Sequence, residues 1–142
     1  MDSSGTIIKE YLRYTDGASR GNPGHSGAGA VIMDSSGITI KEVFEYLGIQ
    51  TNNYSEYSAL ELVLLSAIEL GIHKIKILTD SKLVVEQVSG NWKVKNQNLL
   101  IIHSRIIELL KNFDSVSIIH ILRKLNTHAD SLANKAIDRI LK

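Results

Sequence analysis

Four acidic residues stand at points where the sequence pattern changes from a strand or loop to a turn or helix. Asp16 follows an alternating, strand-like run and precedes a glycine-rich stretch, in YTDGASRGNPG. Glu56 occurs in TNNYSEY, Asp80 in LTDSKLVV and Asp130 in NTHADSLANKA. Carboxylates at the ends of four elements can converge on one site. Like charges held close together raise one another's pKa or require a cation, and a set of oxygen ligands suits Mg²⁺.

Each acid also has a purely structural explanation. Glu56 follows Asn53 by three residues, so the two could form a capping box at a helix start. Asp130 stands in the same relation to Thr127. Asp80 could stabilise the following helix by its charge alone. Asp16 precedes a glycine, which is a common turn pair. The structural explanation has to hold at all four positions at once to exclude a shared site.

Composition and length limit the class of protein. The 142 residues include no cysteine and carry a formal net charge of +1. The lack of cysteine excludes disulfides and thiolate metal sites. The length suits one domain spanning residues 1–142. The sequence shows neither a secretory leader nor an apolar stretch of membrane-spanning length. We therefore expect a cytoplasmic monomer that has no membrane partner.

Hydrophobic periodicity predicts the element order β-β-β-α-β-α-α-β-α. The predicted strands cover residues 7–15, 27–34, 38–48, 74–80 and 115–122, and the predicted helices cover residues 53–70, 81–89, 99–110 and 129–140. Short connections favour an antiparallel meander for the first three strands, and helical crossovers favour parallel pairing afterwards. The predicted fold class is α/β, a mixed five-stranded sheet with about four helices on its faces.

The four segments that contain the acids, taken together and in this order, resemble the catalytic blocks of the type 1 ribonuclease H family. The resemblance covers nearly the whole chain. It implies the ribonuclease H-like fold, in which the first and fourth strands lie side by side at the centre of the sheet. Asp16 and Asp80 would then be close neighbours. It also implies an endonuclease that hydrolyses the RNA strand of RNA/DNA hybrids and leaves 3′-hydroxyl and 5′-phosphate ends.

The same resemblance assigns a role to the four acids. Asp16, Glu56, Asp80 and Asp130 would be catalytic residues that bind two Mg²⁺ ions, for which Mn²⁺ could substitute. Two divalent ions can activate a water and stabilise the leaving oxygen of an in-line phosphodiester displacement.

Polar residues beside the acids would contact the substrate. By resemblance, Thr51, Asn52 and Asn53 touch both strands of the hybrid, and Asn22 lies near them in the first loop. A hybrid is distinguished by its 2′-hydroxyls and its backbone shape, which such groups can read. Ordinary loop and capping chemistry is the alternative at these positions.

A second set of substrate-binding residues is predicted between the second and third helices. Trp92 is flanked there by Lys93 and Lys95, and an aromatic ring with neighbouring ammonium groups can bind sugars, bases and phosphates. Burial in the core is the alternative for Trp92. The segment is shorter and less basic than the protrusion that many family members have at this place.

The sequence departs from many bacterial members of the family after the fifth strand. HILRKLNTHAD has no room for the mobile histidine loop that those members have there. We expect His120 to lie in the strand and His128 to have the wrong surroundings for that role. Arg123 is the better candidate for a phosphate contact, since similar short-loop members have an arginine there. A guanidinium group can hold a phosphate but does not transfer a proton.

Two other functions stay open from the sequence. One is a catalytically silent nucleic-acid-binding module on the same fold. The other is a different two-metal nuclease of this fold that acts on DNA or on double-stranded RNA, because a shared fold does not fix the substrate.

Overall fold

The computed structural model describes residues 11–141. The start of the first predicted strand, residues 7–10, lies outside this range. The strands are β1 (Tyr11–Gly21), β2 (Gly24–Met33), β3 (Thr39–Gln50), β4 (Lys74–Thr79) and β5 (Ser115–His120). The helices are α1 (Asn52–Glu69), α2 (Lys82–Val88), α3 (Gln97–Leu110) and α4 (Thr127–Ile140), with a short 3₁₀ helix at Arg123–Leu125. The element order is the predicted one.

The five strands form one mixed sheet in the order β3-β2-β1-β4-β5. β1 pairs antiparallel with β2, and β2 pairs antiparallel with β3, which confirms the predicted meander. β1 and β4 are parallel, and their last paired residues are Thr15 and Thr79. Asp16 and Asp80 therefore follow directly where the two central strands part.

β1 does not end at Asp16, and this part of the prediction is wrong. The strand continues to Gly21 because it stays paired with β2, in which Gly24 is already a strand residue. Gly17 lies in this continued strand. A Cβ at Gly17 would lie 2.2 Å from the Ser55 carbonyl carbon of α1, so the glycine permits close packing rather than a turn.

The helices cover both faces of the sheet. α1 and α3 pack on one face over a buried apolar cluster that includes Tyr57, Leu64 and Ile106. α4 packs on the other face against β2, where Gly29 leaves room for its backbone. A Cβ at Gly29 would lie 2.6 Å from the Ala129 carbonyl oxygen. None of the described helices has the length and apolar character needed to span a bilayer.

Candidate active site

Asp16 and Asp80 lie where the two central strands, β1 and β4, diverge after Thr15 and Thr79, and this point is called the fork. Asp16 is only 3% exposed, while Asp80 is half-buried. Asp80 is held between β4 and α2, because Ser81 caps α2 by accepting a hydrogen bond from the Val84 amide, as predicted. The fork places both carboxylates on the same edge of the sheet.

Glu56 reaches the same place from α1. The helix is capped by Thr51, whose hydroxyl accepts a hydrogen bond from the Tyr54 amide at 3.2 Å. A capping box between Asn53 and Glu56 is therefore wrong. Instead, Glu56 Oε1 accepts a 2.7 Å hydrogen bond from the Gly17 amide of β1. The close contact at Gly17 thus brings the carboxylate of α1 to the strand that carries Asp16.

Asp16, Glu56 and Asp80 offer carboxylate oxygens that all lie within 4.8 Å of one another. Burial raises the pKa of Asp16 strongly, and the carboxyl groups of Glu56, Asp80 and Asp130 raise it further. Burial also raises the pKa of Glu56, to about 7. In the metal-free protein the cluster therefore holds a proton at neutral pH.

Asp130 approaches the cluster from the first turn of α4. It is half-buried, and it contributes to the raised pKa of Asp16. It is not one of the three acids whose carboxylate oxygens lie within 4.8 Å of one another. Asp130 does not complete a capping box with Thr127, because Thr127 is the first residue of the helix and Asn126 precedes it as the N-cap. Asn134 donates to the Asp130 carbonyl oxygen at 3.0 Å.

The cluster fits a divalent cation. Glu56 Oε2 is buried and has no hydrogen-bond partner within residues 11–141. In the same range, none of Asp16, Glu56 and Asp80 forms an ion pair. Buried carboxylate oxygens without donors are energetically unfavourable unless a cation or a shared proton compensates them. Hard oxygen ligands at this spacing suit an ion such as Mg²⁺.

Asn126 belongs to the site, although the sequence did not single it out. Its side chain donates to the Thr15 carbonyl oxygen at 2.7 Å and to Asp80 Oδ2 at 3.5 Å. The sequence signal was weak, since an asparagine just before a helix is typical of an ordinary N-cap. Here, however, the Asn126 side chain makes no capping hydrogen bond.

Predicted substrate-contacting residues surround the acids. A depression of about 190 Å³ is lined by Glu56 and Asp80 together with Asn52, Asn53 and Arg123. The charge of Arg123 lowers the pKa of Glu56, in opposition to burial. The depression therefore combines anionic oxygens with amide groups and one guanidinium group.

Thr51 and Asn22 form hydrogen bonds at the start of α1, beside this depression. Thr51 caps α1, and Asn22 Oδ1 accepts a 3.1 Å hydrogen bond from the Asn52 amide. Both residues are exposed. The capping alternative is thus correct for the Thr51 hydroxyl, and Asn22 ties the β1–β2 connection to the start of α1.

Comparison with known proteins identifies the family. A sequence family described as "Reverse transcriptase-like" matches residues 14–136. The chain is 42% identical over 125 residues to "Ribonuclease HI" of Halobacterium salinarum, which covers 88% of this chain and 63% of the relative. The crystal structure of RNase H1 from H. salinarum NRC-1 superposes with a TM-score of 0.89 at 40% identity, covering 92% of this chain and 98% of that one. The chain belongs to the type 1 ribonuclease H family.

A second ribonuclease H structure is similar to the same degree. LC11-RNase H1, solved in complex with an RNA/DNA hybrid, has a TM-score of 0.89 and 36% identity, covering 93% of this chain and 99% of that one. The present chain spans only part of some curated relatives, namely 63% of the H. salinarum protein and 34% of a mycobacterial bifunctional protein.

Most residues of the segment between α2 and α3 are exposed. Trp92 is 44% exposed, so the core alternative for this residue is wrong. Lys93 and Lys95 are exposed on either side of Val94, which packs against the core. None of Trp92, Lys93 and Lys95 lines the depression around the acids.

The positions of His120 and His128 agree with the prediction. His120 ends β5 and is exposed. His128 Nε2 is in hydrogen-bond contact with Glu42 of β3. His103 lies in α3, where its ring contacts the Gln87 carbonyl oxygen at 3.2 Å.

Proposed function

We propose that this chain is a metal-dependent endonuclease that hydrolyses the RNA strand of RNA/DNA hybrids and leaves 3′-hydroxyl and 5′-phosphate ends. The observation that carries the proposal is the convergence of Asp16, Glu56 and Asp80 within 4.8 Å, although the three residues come from β1, α1 and the end of β4. The complex of LC11-RNase H1 with an RNA/DNA hybrid supports this choice of substrate.

Asp16, Glu56, Asp80 and Asp130 would hold two Mg²⁺ ions, with Mn²⁺ as a substitute. When bound, such ions would supply activation of a water and stabilisation of the leaving oxygen of the phosphodiester. The protein contributes the rigidity of the site. Glu56 is fixed by the Gly17 amide, and Asp16 is fixed by its pairing with Gly29 of β2, one residue beyond the last β1–β4 pair.

Arg123 would hold a phosphate group of the substrate beside the acids. It is exposed, it lines the same depression as Glu56 and Asp80, and its positive charge acts on Glu56. A guanidinium group offers a fork of donors that matches phosphate oxygens. Because it stays protonated, Arg123 would orient and neutralise the phosphate without transferring a proton.

Two surfaces would bind the hybrid. The first comprises Asn22, Thr51, Asn52 and Asn53, whose polar groups can contact 2′-hydroxyls and phosphates. Asn52 and Asn53 line the depression, and Asn22 and Thr51 lie beside them at the start of α1. The second is the exposed segment Trp92–Lys95, which offers an aromatic face and two ammonium groups. Both surfaces recognise backbone and shape, as an enzyme without sequence preference requires.

The test is a side-by-side cleavage assay. The purified chain is incubated with Mg²⁺ or Mn²⁺ and with end-labelled RNA/DNA hybrid, double-stranded RNA and double-stranded DNA of one sequence. We expect cleavage within the RNA strand of the hybrid, and loss of cleavage in Asp80→Asn. Product ends are read by their response to a phosphatase and to extension by a polymerase.

Each other outcome favours a named alternative. Activity confined to DNA would replace the proposal with that of a DNA nuclease of the same fold. Cleavage of double-stranded RNA at a rate equal to that of the hybrid would broaden the substrate. Binding of the hybrid without cleavage in either metal would identify a silent binding module. Normal cleavage by Asp80→Asn would remove the carboxylate cluster from the reaction.

A further inference from the structure

Asn126 connects the strand that carries Asp16 to the start of α4. Its Nδ2 donates a 2.7 Å hydrogen bond to the carbonyl oxygen of Thr15, the residue just before Asp16. Thr15 is also the last residue of β1 that pairs with β4. The hydrogen bond therefore fixes β1 at the fork, one residue away from the most buried acid.

The same residue also contacts Asp80 through its side chain and Asp130 through its backbone. Asn126 Nδ2 lies 3.5 Å from Asp80 Oδ2, within reach of a second hydrogen bond. The Asn126 carbonyl oxygen accepts a 3.1 Å hydrogen bond from the Asp130 amide and so forms the first turn of α4. Asn126 thus has one contact with the strand that carries Asp16, one with Asp80 and one with the backbone of Asp130.

Asn126 is a buried polar residue, and its burial has to be explained by what its side chain does. The residue is 1% exposed, and its Oδ1 has no hydrogen-bond partner within residues 11–141. A buried amide with an unpaired oxygen destabilises the fold relative to an apolar residue of the same shape. The amide at this position is therefore poorly explained by fold stability alone, whereas its donor group serves the two oxygens at the fork.

We propose that Asn126 is a positioning residue that holds Asp16 and Asp80 at the spacing that a divalent cation requires. The proposal rests on the proposed function, since it assumes that the cluster binds metal. Carboxylates this close repel one another, so their backbones must be held against separation. Asn126 provides that restraint from outside the ligand set, with its donor on the Asp80 carboxylate and on the strand of Asp16.

The test measures Mg²⁺ binding without substrate. Melting temperatures of the wild type, Asn126→Ala and Asn126→Ser are recorded over a range of Mg²⁺ concentrations, and the increase with metal gives an apparent affinity. Ile106→Val is the matched control, because Ile106 is fully buried in the core on α3 and contributes nothing to the acid cluster. The Mg²⁺ dependence of hybrid cleavage, with kcat and KM separated, is the second readout.

For the Asn126 variants we expect Mg²⁺ affinity about tenfold weaker, as is typical when a residue that orients metal ligands is removed. Cleavage should need correspondingly more Mg²⁺, with an unchanged KM for the hybrid at saturating metal. Ile106→Val should lower the metal-free melting temperature and keep the wild-type gain with Mg²⁺.

Equal Mg²⁺ affinity in the wild type and in both Asn126 variants would overturn the positioning role. A loss of affinity in Ile106→Val as large as in Asn126→Ser would also overturn it, because general destabilisation would then explain the effect. Failure of the wild type to cleave the hybrid would count against the proposed function instead, since the binding measurement stands without cleavage.

Discussion

The Gly17 amide donates a 2.7 Å hydrogen bond to Glu56 Oε1, across a contact where a side chain at position 17 would collide with α1. Gly17→Ala places a Cβ 2.2 Å from the Ser55 carbonyl carbon and 2.4 Å from the Glu56 amide nitrogen. Since both are backbone atoms, α1 has to move. We expect a loss of about 3 kcal/mol in the free energy of unfolding, at the upper end for overpacking, and loss of cleavage.

Gly37→Ala is the control for this glycine. Gly37 has a φ of 87°, but a Cβ added there would have no other atom within 4 Å, so only backbone strain is introduced. The free energy of unfolding of Gly37→Ala should fall by about 1 kcal/mol, as expected for a residue with a side chain in the left-handed region. Its cleavage of the hybrid should equal that of the wild type. Chemical denaturation and hybrid cleavage measure both effects. Full activity in Gly17→Ala would show that the contact does not position Glu56.

The metal-free protein should become less stable as the pH rises. The pKa values of Asp16 and Glu56 are raised in the fold, so the folded state binds more protons than the unfolded state. For Glu56 the loss of stability falls between its ordinary pKa of 4.5 and its folded pKa of about 7. The raised pKa of Asp16 extends this loss of stability to higher pH. Added Mg²⁺ should remove most of this dependence.

Urea denaturation at pH 5, 7 and 9, with a chelator or with Mg²⁺, measures this pH dependence. The stability gain from Mg²⁺ should be largest at pH 9, where the cluster carries the most negative charge. A metal-free stability that increases between pH 5 and 9 would contradict the raised pKa values.

Asp16→Asn should separate stability from activity. The substitution removes one buried acid from a group of like charges while keeping the shape of the side chain. We expect a higher metal-free melting temperature at pH 8, a smaller gain with Mg²⁺ and no cleavage. The matched variant is Asp138→Asn, an exposed residue of α4 that pairs with Arg20, and it should leave all three quantities nearly unchanged. A lower metal-free melting temperature in Asp16→Asn would mean that the acid stabilises the fold.

Arg123→Ala should lower turnover about tenfold, equivalent to about 1.4 kcal/mol in the barrier, because a phosphate beside the acids would lose its cation. Lys124→Ala, at the next exposed position of the 3₁₀ helix, is the control and should keep the wild-type kcat. Arg123→Lys should recover part of the loss, since it restores charge without the fork of donors. Steady-state kinetics on a labelled hybrid measure these changes, and unchanged kinetics in Arg123→Ala would remove it from the site.

Trp92→Ala should weaken hybrid binding with little effect on the fold. Trp92 is 44% exposed, so we expect a change below about 1 kcal/mol in the free energy of unfolding and a higher KM, because a stacking contact is worth about 1 to 3 kcal/mol. Trp92→Phe keeps an aromatic face and should retain most of the binding. A large loss of stability in Trp92→Ala, without a change in KM, would point to a packing role.

The sequence predicted the fold class and the convergence of Asp16, Glu56 and Asp80, because strand and helix ends are marked by local patterns. Periodicity indicated the element order, and Asp80 and Asp130 stand at element ends that hydrophobic runs define. The extent of β1 was wrong because the glycines after Asp16 look like a turn locally, whereas strand pairing with β2 decides their conformation. The single-domain organisation, the monomeric state and the cytoplasmic location stay predictions.

The contacts that hold the site together could not be read from local patterns. Asn126 and Thr15 are 111 residues apart in the chain, and their hydrogen bond exists only because α4 packs beside β1. In the same way, the supposed capping role of Glu56 was wrong because Thr51 caps α1 and Gly17 offers a donor from another element. The exposure of Trp92 likewise depends on how α2 and α3 are joined in space.

The position of α4 has a consequence for biosynthesis. α4 is the last helix in the described chain, yet it supplies Asp130 and begins just after Asn126. A ribosome would have made β1, α1 and β4 well before this helix emerged. A nascent chain would therefore carry the first three acids without the fourth, and the set of four would be complete only after α4 has been synthesised.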